Sequence, residues 1–425
     1  MTGESRRRLA AAIGPGVLFA GTAIGVSHLV QSTRAGAVHG LGFVLIIVLV
    51  HALKYPAFRF APHFVAATGE SLLHGYRRRG RAILVLYFLT FLPTLCTVMA
   101  ALGITLAGLA GVTFQVTMTP PVLASLLVVA AVVLTLAGGF ALLDRLTKVF
   151  VAFLTLATLA ATVLVLPRID WQWASLAPPA LDGATLAFLI ALAGFMPAGL
   201  DLSVMHSLWS VARARQTGLR APIAEAMVDF NIGYVASIVL ALCFVLMGAG
   251  VMHQEGVVPE AGAAAFAAQV VSLYEQTLGA WSGALVGASA FAVLLTTLLA
   301  ITDGFPRVVA AVLAQVSSPT PGSARGGRRD PAYVGVMLAM AAVAVLMLHF
   351  ALSSFRAFID LVTTVGFITS PIIALLNHLA VTGPDVPQAL RPGIWLRRWS
   401  LLGVLVLFAV AIAYGVMSWL TASSS

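Results

Sequence analysis

Two apolar stretches carry side chains that an apolar environment does not hold for nothing. Residues 14–28 read GPGVLFAGTAIGVSH and end on Ser27 and His28; residues 193–201 read AGFMPAGLD and end on Asp201. An ionisable group inside a membrane-compatible run pairs with a partner, lines a watery cavity or marks the path of an ion or solute. The chemistry open to such groups is therefore binding of a small ion or solute. Each also has a plainer reading. His28 can be a packed, hydrogen-bonded histidine, and Ser27 and Asp201 can cap half-helices, since a hydroxyl or carboxylate satisfies free N–H groups at a helix start. Met196 can be plain core. His206 reads as structural, and Asp229, Asp303 and Asp360 read as caps or interface residues near helix ends.

The surrounding chain decides what holds these groups. Its 425 residues are 60% hydrophobic and 9% charged, with a mean hydropathy of +1.02. An ordinary soluble domain is about one-quarter charged. The apolar residues come in runs of about 20, the length that crosses a bilayer as a helix, without the alternation of a barrel strand. The composition implies an all-α membrane protein. Eleven spans are expected, at about 10–36, 40–60, 82–110, 121–143, 147–167, 184–211, 226–250, 264–303, 331–350, 355–380 and 399–421, the eighth range including a short surface helix before the span proper.

The net charge of +9 follows from loops. Arg6 to Arg8, Arg77 to Arg79 with Arg81, Arg145 with Lys148, Arg213 with Arg215 and Arg220, Arg325 with Arg328 and Arg329, and Arg391 with Arg397 and Arg398 all fall on one side when spans alternate. By the positive-inside rule the N-terminus is cytoplasmic and the C-terminus faces out, and the expected location is a bacterial inner membrane. The charge calls for no nucleic acid. Cys96 and Cys243 lie in apolar runs and read as small hydrophobes. No cleavable signal peptide is expected, and Ser317–Arg329 reads as a flexible basic linker. The partners expected are the bilayer and a small ion or solute, with no obligatory protein partner.

The spacing of the two unusual stretches carries more than either alone. Proline and glycine lower helix propensity in both, and each opens a set of five spans. Interrupted helices at corresponding places in two halves point to an inverted repeat with a binding site where the interruptions meet. The first repeat spans about 10–167 and the second about 184–380, with an extra helix at about 399–421, all in one transporter domain.

Gly14-Pro15-Gly16, Ala35-Gly36-Ala37-Val38-His39-Gly40, Thr68-Gly69-Glu70-Ser71-Leu72 and the Ala193, Met196, Pro197 pattern together resemble the Nramp family of proton-coupled divalent-metal transporters. The resemblance implies a LeuT-like five-plus-five inverted repeat with broken helices one and six, and symport of a divalent transition metal. It implies a substrate site at Gly25, Ser27, His28, Ala193, Met196 and Asp201, with His28, Met196 and the carbonyls of Ala193 and Gly25 as ligands if a metal is bound. The family's D-P-G-N falls on Gly25-Val26-Ser27-His28, so its aspartate is glycine and its asparagine histidine. Its M-P-H histidine is Ala198, and the apolar part of helix three has no acid. Imidazole and thioether suit soft or borderline metals, but a dication without a carboxylate from helix one is poorly compensated for leaving water. The alternatives are a small neutral or zwitterionic organic solute on the same scaffold, or a sensor that no longer transports. No resident cofactor is expected. Enzyme chemistry is not expected either: residues 14–21 lack the lysine of a phosphate loop, and no G-x-S-x-G or H-E-x-x-H occurs.

Overall fold

The computed structural model describes residues 14–138, 140–317, 330–352 and 354–424. Arg6, Arg7, Arg8 and the linker residues 318–329 lie outside the described residues, as do the side chains of Arg145 and Lys148. Pro15 starts α1 (Pro15–Ala23), because its missing N–H is one that a first turn leaves unused. The helix stops after nine residues, where Ile24 turns away at φ −73° and ψ 79°. The chain resumes as a π-helical turn over Ser27–Ser32 and then α2 (Thr33–His39). The sequence places unwinding at Gly25–His28; the interruption is confined to Ile24 and Gly25, and His28 already belongs to the π turn.

The next run, α3 (Val44–Thr68), holds Pro56 and Pro62 and passes the expected end at 60. Gly69, at φ 80°, closes it in the left-handed conformation that glycine adopts at little cost. The short helix α4 (Leu72–Arg79), unforeseen in the sequence, is too polar and brief to give a spanning signal. Then come α5 (Arg81–Thr113), α6 (Pro120–Ala137) and α7 (Phe140–Val165).

The second interruption follows α8 (Gly183–Gly194). Residues 195–201 are non-helical before α9 (Leu202–Thr217). Asp182 caps α8 by accepting the Thr185 amide at 2.8 Å. α10 (Ile223–Met247) runs on into a second π turn, Gly248–His253. The range read as 264–303 divides into α11 (Ala263–Leu278) and the longer α12 (Ser282–Ser317), with Gly279 at φ 98° between them. α13 (Pro331–Phe350), α14 (Phe355–Thr382) and α15 (Ile394–Ser424) complete the chain. Among the described residues, nine helical runs are long and apolar enough to cross a membrane. The chain is an all-α, multi-spanning membrane protein.

Two close approaches bring the interruptions together. α1 packs on α10 and α8 on α14. A β-carbon at Gly16 would overlap the backbone carbonyl of Asp229, and one at Gly194 would overlap the carbonyl of Thr363. Glycine at these positions lets backbones meet that any side chain would hold apart.

Candidate functional site

The two interruptions face one cavity of about 70 Å³. A water needs about 10–15 Å³ on such a measure, so the space admits several waters or one small solute. The first interruption and its flanks contribute Thr22, Gly25 and Ser27, and the second interruption contributes Phe195, Ala198, Gly199 and Asp201. Walls come from Val98 and Ala101 of α5, Thr297, Ile301 and Phe305 of α12, and Ile359, Val362 and Thr363 of α14. The lining is mostly apolar with four hydroxyls and a single carboxylate. A β-carbon at Gly199 would collide with Asp201 Oδ1 and the Phe195 ring, so glycine there leaves room for the carboxylate to reach the cavity.

His28 is fully buried and turned away from that space. One ring nitrogen, Nδ1, lies 3.0 Å from Ser27 Oγ. The other, Nε2, lies 3.0 Å from the Ser237 carbonyl of α10. A carbonyl can only accept, so Nε2 carries the proton and Nδ1 accepts from the Ser27 hydroxyl. Both nitrogens are thus committed within the protein. Met196 is likewise fully buried and does not line the cavity.

Ala193 meets an unexpected partner. α8 ends at Gly194, so its last carbonyls lack intrahelical donors and sit at the negative end of the helix dipole. Lys54 Nζ, from α3, donates to Ala193 O at 2.5 Å and Gly194 O at 2.9 Å. Its side chain is fully buried. A cation at a helix C-terminus is stabilised by about 0.3–1 kcal/mol, up to ~2 in a partly buried setting. Burying an ammonium costs several kcal/mol, which these two hydrogen bonds and the field of Asp201 offset together. One turn earlier on α3, His51 Nδ1 lies 2.8 Å from the Ile47 carbonyl.

A second polar cluster borders the cavity through Thr363. Arg34 of α2 reaches both carboxylate oxygens of Asp360, at 2.6 and 3.1 Å. Gln31 donates to Asp360 at 2.9 Å and to Thr363 Oγ1 at 3.2 Å, and accepts from Arg34 at 2.7 Å. The guanidinium also lies 5.0 Å from the centre of the Phe188 ring of α8. The arrangement ties α2, α8 and α14 together at one end of the cavity. Beyond the other end of α1, Asp229 accepts the Gly14 and Gly16 amides at 3.1 and 2.6 Å, and His206 lies between Phe19 and Phe230.

Of the expected residues, Gly25, Ser27 and Asp201 line one cavity, while His28, Ala193 and Met196 do not. Among the described residues, no group of three or more His, Cys, Asp or Glu side chains is placed to hold a metal. Lys54, Arg34 and Gln31 escaped the sequence reading. The signal was present, since an intramembrane Lys or Arg is itself a pointer to a working site.

No protein-family model matches the chain. A relative described as Uncharacterized protein PM0681, from Pasteurella multocida (strain Pm70), is 30% identical over 415 residues, covering 95% of this chain and 92% of the relative. Among solved structures, a variant of the Eremococcus coleocola manganese transporter superposes with a TM-score of 0.66 at 14% identity, covering 97% of this chain and 88% of that one. MhsT in complex with L-phenylalanine gives 0.61 at 14% identity, over 95% and 98% of the two chains. Mhp1, a nucleobase-cation-symport-1 family transporter with bromovinylhydantoin bound, gives 0.56 at 13% identity, over 97% and 93%. At these identities the likeness is one of fold alone.

Proposed function

We propose, for a chain that belongs to one family with the Pasteurella multocida protein PM0681, secondary transport of a small neutral or zwitterionic organic solute. The observation that carries this reading is the cavity between the two interruptions, with its hydroxyls, aromatic rings and one carboxylate. A dication leaving water needs several converging donors and compensating charge. Here the Ala193 carbonyl is bonded to Lys54, and His28 and Met196 point elsewhere. Among the described lining residues, Asp201 alone offers negative charge to the cavity, and Lys54 balances it. A solute with no net charge fits this field. The divalent metal implied by the sequence resemblance therefore ranks second, although the fold is shared with a manganese transporter.

The architecture supports eleven spans in a five-plus-five repeat. The runs 15–39 and 183–217 are its interrupted first and sixth members, and α15 is the additional helix. With the N-terminus inside, the Arg34–Asp360 cluster lies at the outer end and holds α2 against α14 and α8. Releasing it would open the cavity outward, one half of an alternating-access cycle. Ala198 stands where the resemblance implies a histidine, so proton coupling by that route is not expected. A non-transporting sensor with degenerate ligands calls for a collapsed site, and a cavity with room for several waters argues against it.

The test is a thermal-unfolding screen of the purified protein in detergent against small amino acids, amines, polyols and nucleobases, with Mn²⁺ and Cd²⁺ alongside. One solute class is expected to raise the midpoint saturably, and Ala101→Phe, which fills the cavity from α5, is expected to abolish the shift. A saturable shift with Mn²⁺ or Cd²⁺ and none with any solute overturns the reading.

A further inference from the structure

We infer that Lys54 is a tethered cation: its ammonium fills the position that the end of α8 creates for a positive ion, so the chain supplies that ion itself and takes none from solution there. This role of Lys54 is separate from the cargo and holds whichever solute moves. Stopping α8 at Gly194 denies the buried carbonyls of Ala193 and Gly194 their i+4 helical donors, and Ala193 O keeps only turn-type amides, that of Phe195 and that of Met196 at 3.5 Å. Such oxygens attract a cation, and unwound carbonyls of broken helices coordinate ions in transporters of this general construction. In this chain both accept from one Nζ, at 2.5 and 2.9 Å.

The residue type suits the task. Lys54 is one of only two lysines in a chain whose other basic side chains are arginines. A compact ammonium with three donors can sit between two neighbouring carbonyls, whereas a planar guanidinium is shaped for a carboxylate or phosphate. The stem comes from α3, a helix outside the interruption, so the charge stays when α8 or α9 moves. The other charged or titratable groups whose fields meet it are Asp201, at the start of α9, and His51, one turn earlier on α3. Ammonium and carboxylate leave the interior with no net charge for a second cation to neutralise.

The experiment compares wild type with Lys54→Ala and Lys54→Met by thermal unfolding in N-methylglucamine, sodium, potassium, methylammonium or manganese chloride at equal ionic strength. Wild type is expected to unfold at one midpoint in all five. Lys54→Ala is expected to fall by several degrees in N-methylglucamine and to regain about half of that loss, saturably, in methylammonium, the small amine that restores the missing group. Lys54→Met fills the stem volume without the charge, and is expected to fall and not recover. If Lys54 only packs, Lys54→Met behaves as wild type and the inference fails. It fails equally if Lys54→Ala stays unfolded or unshifted in every cation, or if wild type is stabilised by an inorganic cation whose effect Lys54→Ala abolishes. A solute that shifts wild type in the separate screen leaves the cargo reading standing in each case.

Discussion

Replacing Asp229 by alanine removes the cap of α1 from across the fold, and its effect can be worked out in advance. The carboxylate accepts two amides at the start of α1, Gly14 at 3.1 Å and Gly16 at 2.6 Å. A hydrogen bond to a charged acceptor contributes about 1.5–3 kcal/mol, while loss of a helix N-cap costs about 0.5–2 kcal/mol. The half-exposed Gly14 end admits water that replaces part of the lost bonding, so the net loss is set at about 2–4 kcal/mol. At 1.4 kcal/mol per factor of ten, amide protection in residues 14–20 should fall roughly 30- to 700-fold. Asp229→Asn keeps one neutral acceptor and should lose roughly tenfold. Hydrogen exchange read by mass spectrometry on peptides from this segment measures both, with peptides of α14 and α15 as internal references. Unchanged protection in residues 14–20, or an equal loss in every helix, would refute the assignment of Asp229 as the anchor of α1.

Gly194→Ala drives a β-carbon into the Thr363 carbonyl, so α8 must leave α14, and the overpacking should destabilise the protein by about 1–3 kcal/mol, seen as a lower unfolding midpoint. Asp360→Asn leaves the nearly buried Arg34 without its countercharge. In a background lacking Cys96 and Cys243, a Ser27→Cys thiol should then react at least about tenfold faster with an impermeant reagent, the factor that ~1.4 kcal/mol of lost closure gives. His28→Ala removes the additional buried hydrogen bond to the Ser237 carbonyl and should destabilise by about 0.5–1.5 kcal/mol from that bond, while leaving any metal response untouched. The Asp182 carboxyl is held below its ordinary 3.8 by the Thr185 amide and hydroxyl. Its cap is fully present above pH 3.8 and is lost as pH falls through the lower folded value, which exchange at the Thr185 amide would report.

The long apolar helices were legible because length and hydropathy are local properties of the chain, and among the described residues nine are long and apolar enough to cross a membrane. The interruptions were legible for the same reason, through Gly25 and Met196-Pro197-Ala198-Gly199. A boundary that depends on a single backbone conformation was not: Gly69 ends α3 by positive φ, which composition does not reveal, whereas a short helix ahead of the eighth span was expected and only its end at Gly279 was not placed. The direction of His28 was also hidden. A π turn shifts the side-chain phase away from that of an α-helix, so Ser27 faces the cavity while His28 faces Ser237. Lys54 could have been flagged from HALKYP alone, as a charge within a span. Its target, a carbonyl pair 139 and 140 residues away, is a tertiary fact. The Ala193 carbonyl, expected as a ligand if a metal is bound, lies in the last turn of α8 and accepts from a side chain of the same protein.

The cavity between the interruptions is proposed to receive an organic solute and no divalent metal. Isothermal titration of the purified wild-type protein with Mn²⁺, Fe²⁺, Cd²⁺ and Mg²⁺ tests it most directly. Gly25→Asp serves as the comparison: a β-carbon at Gly25 meets nothing closer than 3.8 Å, and Gly25 lines the same cavity as Asp201, so the change adds a second carboxylate to that lining. The account predicts no saturable heat from wild type with any of the four ions, and binding of Mn²⁺ or Cd²⁺ by Gly25→Asp. One-to-one binding of Mn²⁺ or Cd²⁺ by wild type, abolished by Asp201→Asn or Met196→Ala, would contradict it.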